Sequence, residues 1–390
     1  MKIEPRTLKG FRDFLPKDAR KRNYVLETLK RVFESYGFEP LETPALEYEE
    51  ILTGKYGDEG DKLMYRFTDN GDRKVAMRYD QTVPLARVVA QYQNELPMPF
   101  KRYQIQNVWR AENTQKGRYR EFVQCDADII GSSSPLADAE IIKLVLTIYQ
   151  ALNLDVTIKI NDRANLANLD KKYIAAIDKL EKIGESAVLS EMVEKGMEDQ
   201  DAKKALQELQ SKPQTETIAQ ILKSLKQMRC DMSKIQYEPT LARGLDYYTG
   251  VIFETVAQGS TGSICSGGRY DNLIGMFAGR DFPAVGFGLG FDRTIEVLEE
   301  QNKILNLSST TKVLITNSGK ALEIAEKLRA ENINTEVYLE DATLEKQLKY
   351  ADKKQIPYVI IINDKVLMLK DMIERTQEEL TLERIIEKLK

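Results

Sequence analysis

Two blocks of strand-like sequence are interrupted by a long stretch that carries helical signals instead. Between about residues 64 and 130 the runs MYRFTD, VAMRYD, KRYQIQNVWRAE and EFVQCDADIIG are rich in β-branched and aromatic residues that alternate with charge. That pattern predicts antiparallel strands around a polar face. From about 161 to 232 the composition turns to Lys, Glu, Ala, Leu and Gln, broken at Gly184, Gly196 and Pro213, which predicts a helical insertion. Strand signals return from Ile235 to Glu254, glycines crowd positions 259 to 290, and a helix is predicted from near Phe291. A sheet that pauses for helices and then resumes is an α+β arrangement.

The flanks fit this frame. Val25, Leu29, Val32, Phe33 and Tyr36 recur at helical spacing within residues 17 to 36, and Gly37 ends the run. Phe38 to Pro44 is predicted to be extended, because each proline biases its predecessor away from the helical region. Ser134-Pro135 opens a second helix with Ile141, Leu144, Val145, Ile148 and Leu152 on one stripe. After a polar linker from Glu299 to Thr311, the runs VLIT, NTEVYL, YVIII and KVLML alternate with helical segments at about 319 to 330, 343 to 354 and 381 to 389. A separate α/β domain over 311 to 390 is expected, and 390 residues leave room for two or three domains.

Composition narrows the chemistry. The 57 basic and 61 acidic residues leave a net charge of −4, so any nucleic-acid contact must come from local basic clusters. Cys125, Cys230 and Cys265 are odd in number and lack a short metal-ligand spacing, which argues for a reducing compartment, with cytoplasm the expected location. No apolar leader and no run of 18 apolar residues is found, so neither export nor membrane spanning is expected. The sequence contains no histidine at all. Histidine general bases, histidine-dependent triads and histidine-ligated metals are therefore excluded.

Four strings concentrate reactive side chains. Trp109 to Phe122 (WRAENTQKGRYREF) encloses a loop with Lys116, Arg118 and Arg120 between two strand-like flanks, which suits an anionic polyphosphate or a nucleic-acid end, although such a tip can also be merely solvated. Leu241 to Gly250 (LARGLDYYTG) sets an arginine, a carboxylate and two tyrosines side by side; it could grip a carboxylate or phosphate, or be a half-buried strand. Ser263 to Asp271 and Pro283 to Arg293 place glycines at alternate strand positions, as where a flat ligand lies on the backbone or where strands pack tightly. GFGLGFDR lacks the third glycine of the dinucleotide fingerprint. Arg78 to Pro84 puts Asp80 and Thr82 just before a predicted helix, which reads as a plain N-cap or as part of a site.

Together these strings resemble the class II aminoacyl-tRNA synthetases, and within them the histidyl-tRNA synthetase family, over essentially the whole chain. Gly37 to Pro44, Trp109 to Gly131 and Gly286 to Arg293 resemble the three class motifs, while LARGLDYYTG, SGGRYDNL and GRYREF resemble strings specific to the family. The resemblance implies a six-stranded antiparallel catalytic sheet with helices, a helical insertion and a C-terminal α/β anticodon-binding domain. It divides the chain into a catalytic core at 1–160 and 233–305, an insertion at 161–232 and an anticodon-binding domain at 311–390. A homodimer built on residues 17 to 44 is implied, as are ATP and Mg²⁺ as cofactors and L-histidine and tRNA(His) as partners.

By the same resemblance, Arg110 would hold the ATP α-phosphate and the substrate carboxylate, and Arg243 would be a second catalytic arginine. Glu112, Arg118, Phe122 and Arg293 would bind ATP, with Phe122 under the adenine, Glu112 on its amino group and Arg293 on the γ-phosphate. Asp80, Thr82, Gln124, Asp128, Tyr247 and Tyr248 would join Arg110 and Arg243 in binding histidine, and Gln115, Lys116, Arg118 and Arg120 would meet the tRNA acceptor end. No residue is expected to ligate a metal. Val123 departs from the histidine or aromatic residue common there, a change of packing and not of chemistry. Two other readings stand beside this one. A regulatory paralogue of ATP phosphoribosyltransferase would bind histidine without charging tRNA, and another class II synthetase would activate proline, threonine or glycine; residues 311 to 390 and Arg243 argue against the first, Tyr247-Tyr248 against the second.

Overall fold

The computed structural model describes residues 3–53, 63–114, 117–242, 247–260, 262–304, 307–363 and 366–390. Contacts divide the chain into two compact units, one of Met1–Asp13 with Tyr24–Lys303, the other of Phe14–Asn23 with Ile304–Lys390.

The first unit takes α1 (Pro16–Ser35) from Tyr24 onward, and this part buries Val25, Leu29, Val32 and Phe33, four of the five positions of the predicted stripe. Gly37 then takes a left-handed φ of 73°, which glycine adopts without a Cβ clash, and the chain enters β1 (Glu39–Pro40). Next come β2 (Leu46–Tyr48), β3 (Arg66–Thr68), β4 (Lys74–Met77) and α2 (Thr82–Gln91). The ten-residue strands β5 (Phe100–Trp109) and β6 (Glu121–Ile130) pair antiparallel along their full length. Ser134 caps α3 (Pro135–Ala151) by accepting a hydrogen bond from the Leu136 amide at 3.2 Å, and β7 (Val156–Asp162) follows.

The insertion is helical as expected, with α4 (Lys171–Ile177), α5 (Glu185–Glu194), α6 (Asp199–Gln210) and α7 (Glu216–Gln227). Its own small core gathers Tyr173, Ile174, Val188, Met192, Leu206 and Leu209. The chain then returns through β8 (Ile235–Tyr237), β9 (Val251–Ala257), β10 (Ser263–Arg269), β11 (Ala284–Gly290) and α8 (Phe291–Glu300).

The central sheet runs β1-β5-β6-β11-β10-β9-β7-β8. Its middle six strands are antiparallel throughout. Two short edge strands, β1 on β5 and β8 on β7, pair in parallel and extend the sheet beyond the six strands expected; both lie in segments predicted to be extended or strand-like. MYRFTD and VAMRYD do not join this sheet; they form a separate sheet of order β2-β4-β3. The Asp69 carboxylate accepts bonds from the amides of Gly71 and Arg73, each at 2.9 Å, so that hairpin closes locally. Ile235 to Glu254 is not one extended run either, since the described residues of LARGLDYYTG lie between β8 and β9 outside any strand.

The second unit contains β12 (Val313–Ile315), α9 (Ala321–Ala330), β13 (Thr335–Val337), α10 (Leu344–Lys354), β14 (Tyr358–Asn363), β15 (Val366–Asp371), β16 (Gln377–Glu379) and α11 (Leu382–Leu389). The sheet order is β13-β12-β14-β15-β16, parallel in the first three strands and antiparallel in the last three. One face packs Ile315, Leu328, Ile360, Ile385 and Leu389, the other Leu314, Tyr338, Ala351 and Val359. All four sequence-predicted strands are present, and β16 is an addition.

Candidate active site

Strand alternation assembles the site. Along β6, Phe122, Gln124, Asp126 and Asp128 share one face. Their cross-strand partners on β5 are Val108, Gln106, Gln104 and Arg102, whereas on β11 Gln124, Asp126 and Asp128 meet Gly290, Gly288 and Gly286. Polar side chains thus fill one flank of the face, and the missing side chains of β11 open the other. The space at Gly286 is already occupied: an added Cβ would lie 1.9 Å from Asp128 Oδ1.

A first cavity of about 300 Å³ is lined by Thr82, Gln124, Asp126, Asp128, Tyr247, Tyr248, Tyr270 and the β11 glycines, with Arg110 and Phe122 at its edge. Asp128 of this lining is paired with Arg102, whose Nη2 sits 2.6 Å from Asp128 Oδ2, with both side chains almost wholly removed from water. Tyr270 donates its hydroxyl hydrogen to Asp128 Oδ1, so protein groups engage both Asp128 oxygens. Burial pushes the Asp128 carboxyl up while Arg102 pulls it down. The Tyr247 and Tyr248 rings lie 4.2 Å apart, and Tyr247 meets the Tyr270 ring edge-on at 6.1 Å. Burial raises all three phenols, which keeps them neutral hydrogen-bonding groups.

A second cavity of about 340 Å³ is lined by Arg110, Glu112, Arg118, Tyr119, Phe122, Phe291 and Arg293, among others. It shares Arg110, Phe122, Ser266, Gly288 and Gly290 with the first. Arg110 leaves the end of β5, donates from Nε to the Tyr79 carbonyl at 2.9 Å, and holds its guanidinium 5.1 Å from the Phe122 ring centre. Glu112 stands between Arg110 at 3.9 Å and Arg118 at 3.7 Å. A third and larger cavity, about 960 Å³, continues from Arg118 and Arg293 toward Ile177, Asp178 and Leu180 of the insertion.

Of the residues singled out in the sequence, Arg110, Glu112, Arg118, Phe122, Arg293, Thr82, Gln124, Asp128, Tyr247 and Tyr248 all line the first two cavities. Asp80 is buried beside them and accepts a bond from the Val83 amide at 3.4 Å, so its N-cap-like contact and its place near the site coexist. Arg120 lines neither cavity; its Nε donates to the Glu112 carbonyl at 3.1 Å. Gln115, Lys116 and Arg243 lie outside the described residues. Among the described residues, no group of three or more His, Cys, Asp or Glu side chains could hold a metal ion. Sequence reasoning passed over Arg102, Asp126 and Tyr270. Asp126 was within reach, because alternation puts it on the face of Gln124 and Asp128, but its pairing with the Arg102 strand depends on a register that composition does not encode. Arg269 of SGGRYDNL is a structural anchor, bound to Asp138 through Nε at 3.0 Å and Nη2 at 2.6 Å.

Residues 10–294 match the family model of histidyl-tRNA synthetase, and residues 303–390 match that of an anticodon binding domain. A histidine–tRNA ligase of Christiangramia forsetii is 40% identical, with 97% of this chain and 98% of that protein covered. One from Rhodopirellula baltica is 42% identical over 92% of this chain and 90% of its own. The crystal structure of histidyl-tRNA synthetase from Nostoc sp. PCC 7120 superposes with a TM-score of 0.88 at 31% identity, covering 100% of this chain and 99% of that one. With family models matched over both parts of the chain, relatives about 40% identical over nearly its whole length and a solved structure superposing on all of it, the chain belongs to the histidyl-tRNA synthetase family.

Proposed function

We propose that the chain activates L-histidine with ATP to histidyl-adenylate and transfers the histidyl group to the 3′ end of tRNA(His), releasing pyrophosphate and AMP. The observation that carries this reading is the meeting of two cavities at Arg110, one rich in carboxyls and phenols, the other flanked by arginines. Activation joins a carboxylate to the α-phosphorus of a nucleotide, so the two substrates must touch at one point. Arg110 occupies that point and can hold both the amino-acid carboxylate and the α-phosphate.

Negative charge grows on the non-bridging oxygens as the carboxylate attacks, and fixed guanidinium groups oppose it without a protein general base. Arg110 serves from the shared wall, Arg293 from the first turn of α8 toward the γ-phosphate, and Arg243 as the second catalytic arginine. Phe122 stacks under the adenine and Glu112 accepts from its amino group. Magnesium enters with the ATP phosphates, as part of the nucleotide substrate. Asp80, Thr82, Gln124, Asp128, Tyr247 and Tyr248 recognise histidine, whose neutral ring offers one donor and one acceptor to a carboxyl and a phenol. Gln115, Lys116, Arg118 and Arg120 face the acceptor end, for which the third cavity offers a path. The C-terminal unit binds the anticodon, the protein works as a homodimer through residues 17 to 44, and its compartment is the cytoplasm.

Pyrophosphate exchange with histidine, proline, threonine and glycine tests the reading. Histidine alone is expected to support exchange, and Arg110→Ala and Arg243→Ala each to lower it by about two to three orders of magnitude. Histidine binding without exchange would instead support the regulatory paralogue. A dimer is expected in sedimentation of the full chain, and a monomer would remove that part of the proposal.

A further inference from the structure

Gly10, Phe11 and Arg12 lie against residues of the second cavity, and no role assigned above uses them. The Arg120 amide donates to the Gly10 carbonyl at 2.9 Å. Gly10 holds a left-handed φ of 88°, and an added Cβ there would lie 2.7 Å from the Arg120 side chain, so glycine lets this segment pack close without strain. Phe11 meets the Tyr65 ring edge-on at 6.4 Å. Arg12 is thereby set between two walls of the cavity: its guanidinium carbon lies 3.3 Å from the centre of the Tyr119 ring, and its Nη2 lies 2.9 Å from Asp292 Oδ1. Arg12 itself lines none of the three cavities.

Tyr119 and Asp292 both line the second cavity, together with Arg118 and Arg293. Asp292 directly precedes Arg293 in the first turn of α8, and its side chain is 10% exposed. A carboxylate in a wall that faces a polyphosphate repels the ligand and competes for the arginines that would hold it. Arg12 gives Asp292 a cation that does not itself line the cavity, so pairing it removes nothing from the ligand. Its other contact, a guanidinium over an aromatic face, holds Tyr119, whose hydroxyl reaches Glu296 in the next turn of α8 at 3.5 Å. One side chain thus ties the segment that bears Arg118 to the helix that bears Arg293.

We propose that Arg12 is a positioning residue for the nucleotide, which neutralises Asp292 and fixes Tyr119 against α8 so that Arg118 and Arg293 are presented to the polyphosphate. The inference rests on the reading of the second cavity as the ATP site. Arg12 touches no reacting atom and acts through Asp292 and Tyr119. Its effect falls on the phosphates and not on the base, because the charge of Asp292 bears on an anion, whereas stacking of the adenine on Phe122 does not depend on it.

Pyrophosphate exchange by the full chain, with separate KM values for ATP and histidine and an inhibition constant for adenosine, tests this. Adenosine carries the base and ribose without the phosphates. Arg12→Ala is expected to raise the ATP KM about tenfold, to leave the histidine KM and the adenosine inhibition constant unchanged, and to lower the thermal midpoint by no more than about 4 °C. In an Asp292→Asn background, where no charge needs neutralising, the same substitution should raise the ATP KM at most about twofold. Arg12→Lys keeps the charge and should stay closer to the native ATP KM than Arg12→Ala. A native ATP KM in Arg12→Ala overturns the proposal, and so does an equal rise in both backgrounds. Weaker adenosine inhibition together with a larger fall in thermal midpoint assigns Arg12 to packing alone and also overturns it. A native chain that binds neither ATP nor adenosine overturns the nucleotide reading of the cavity and this inference with it.

Discussion

Arg102 and Asp128 form an ion pair with essentially no access to water, and such a pair acts on stability chiefly when one half is lost. Asp128→Ala leaves a buried guanidinium with its main partner gone, so urea unfolding should show a loss of about 3–5 kcal/mol. Replacing both residues by leucine should recover much of that loss while histidine binding stays abolished, which separates the pair's structural share from its role in recognition. Asp126 adds a pH dependence of the less common sign. Its folded value lies near 8, well above the ordinary 3.8, so between those values the folded, ligand-free chain binds more protons than the unfolded chain. The contribution is complete below about pH 4 and is lost as pH rises through 8. The thermal midpoint of the ligand-free chain should therefore fall between pH 6 and pH 9, and Asp126→Asn should flatten that slope. The residues named from short strings, such as Arg110, Phe122 and the tyrosine pair, were legible because each string is contiguous. Arg102 was not, because it reaches Asp128 only through the pairing of two strands.

Among elements, β11 shows what a strand gives up to form a site. Gly286, Gly288 and Gly290 alternate along it opposite Asp128, Asp126 and Gln124, and glycine in a strand costs conformational entropy that packing does not return. The sequence reading held ligand access and tight packing as alternatives; at Gly286 both apply. Gly286→Ala would bring a Cβ to 1.9 Å from Asp128 Oδ1 and 2.7 Å from the Ala127 carbonyl. Stability should fall by about 1–3 kcal/mol, and the histidine KM should rise far more than the ATP KM. Equal changes in both KM values would show a general distortion of the sheet. Helices were the most legible elements: α1, α3, α8 and the helical insertion follow the 3.6-residue period or the loss of strand signal. Strand partnership was less so. MYRFTD and VAMRYD carry the same alternation as β5 and β6, yet their turn at Asp69 to Arg73 folds them into a sheet of their own.

For the whole molecule, the absence of histidine is both a chemical and a synthetic fact. The usual side chain that titrates between pH 5 and 8 is missing, and burial separately raises the Asp126 carboxyl to about 8; every imidazole seen in a complex belongs to the substrate. In the proposed mechanism arginines suffice for the activation step, because the charge to be stabilised is anionic and no proton need be removed from the attacking carboxylate. The 390 residues can also be translated without a single histidyl-tRNA. A reconstituted translation mixture lacking both histidine and its ligase should therefore make this chain in full, while a histidine-containing reporter stalls. Histidine added afterwards should start reporter synthesis after a lag set by the accumulation of the new chain, and an Arg110→Ala template should yield full-length protein and no reporter. Full-length native chain with a silent reporter would mean that the fold is complete without the activity, and would favour the regulatory paralogue over the ligase.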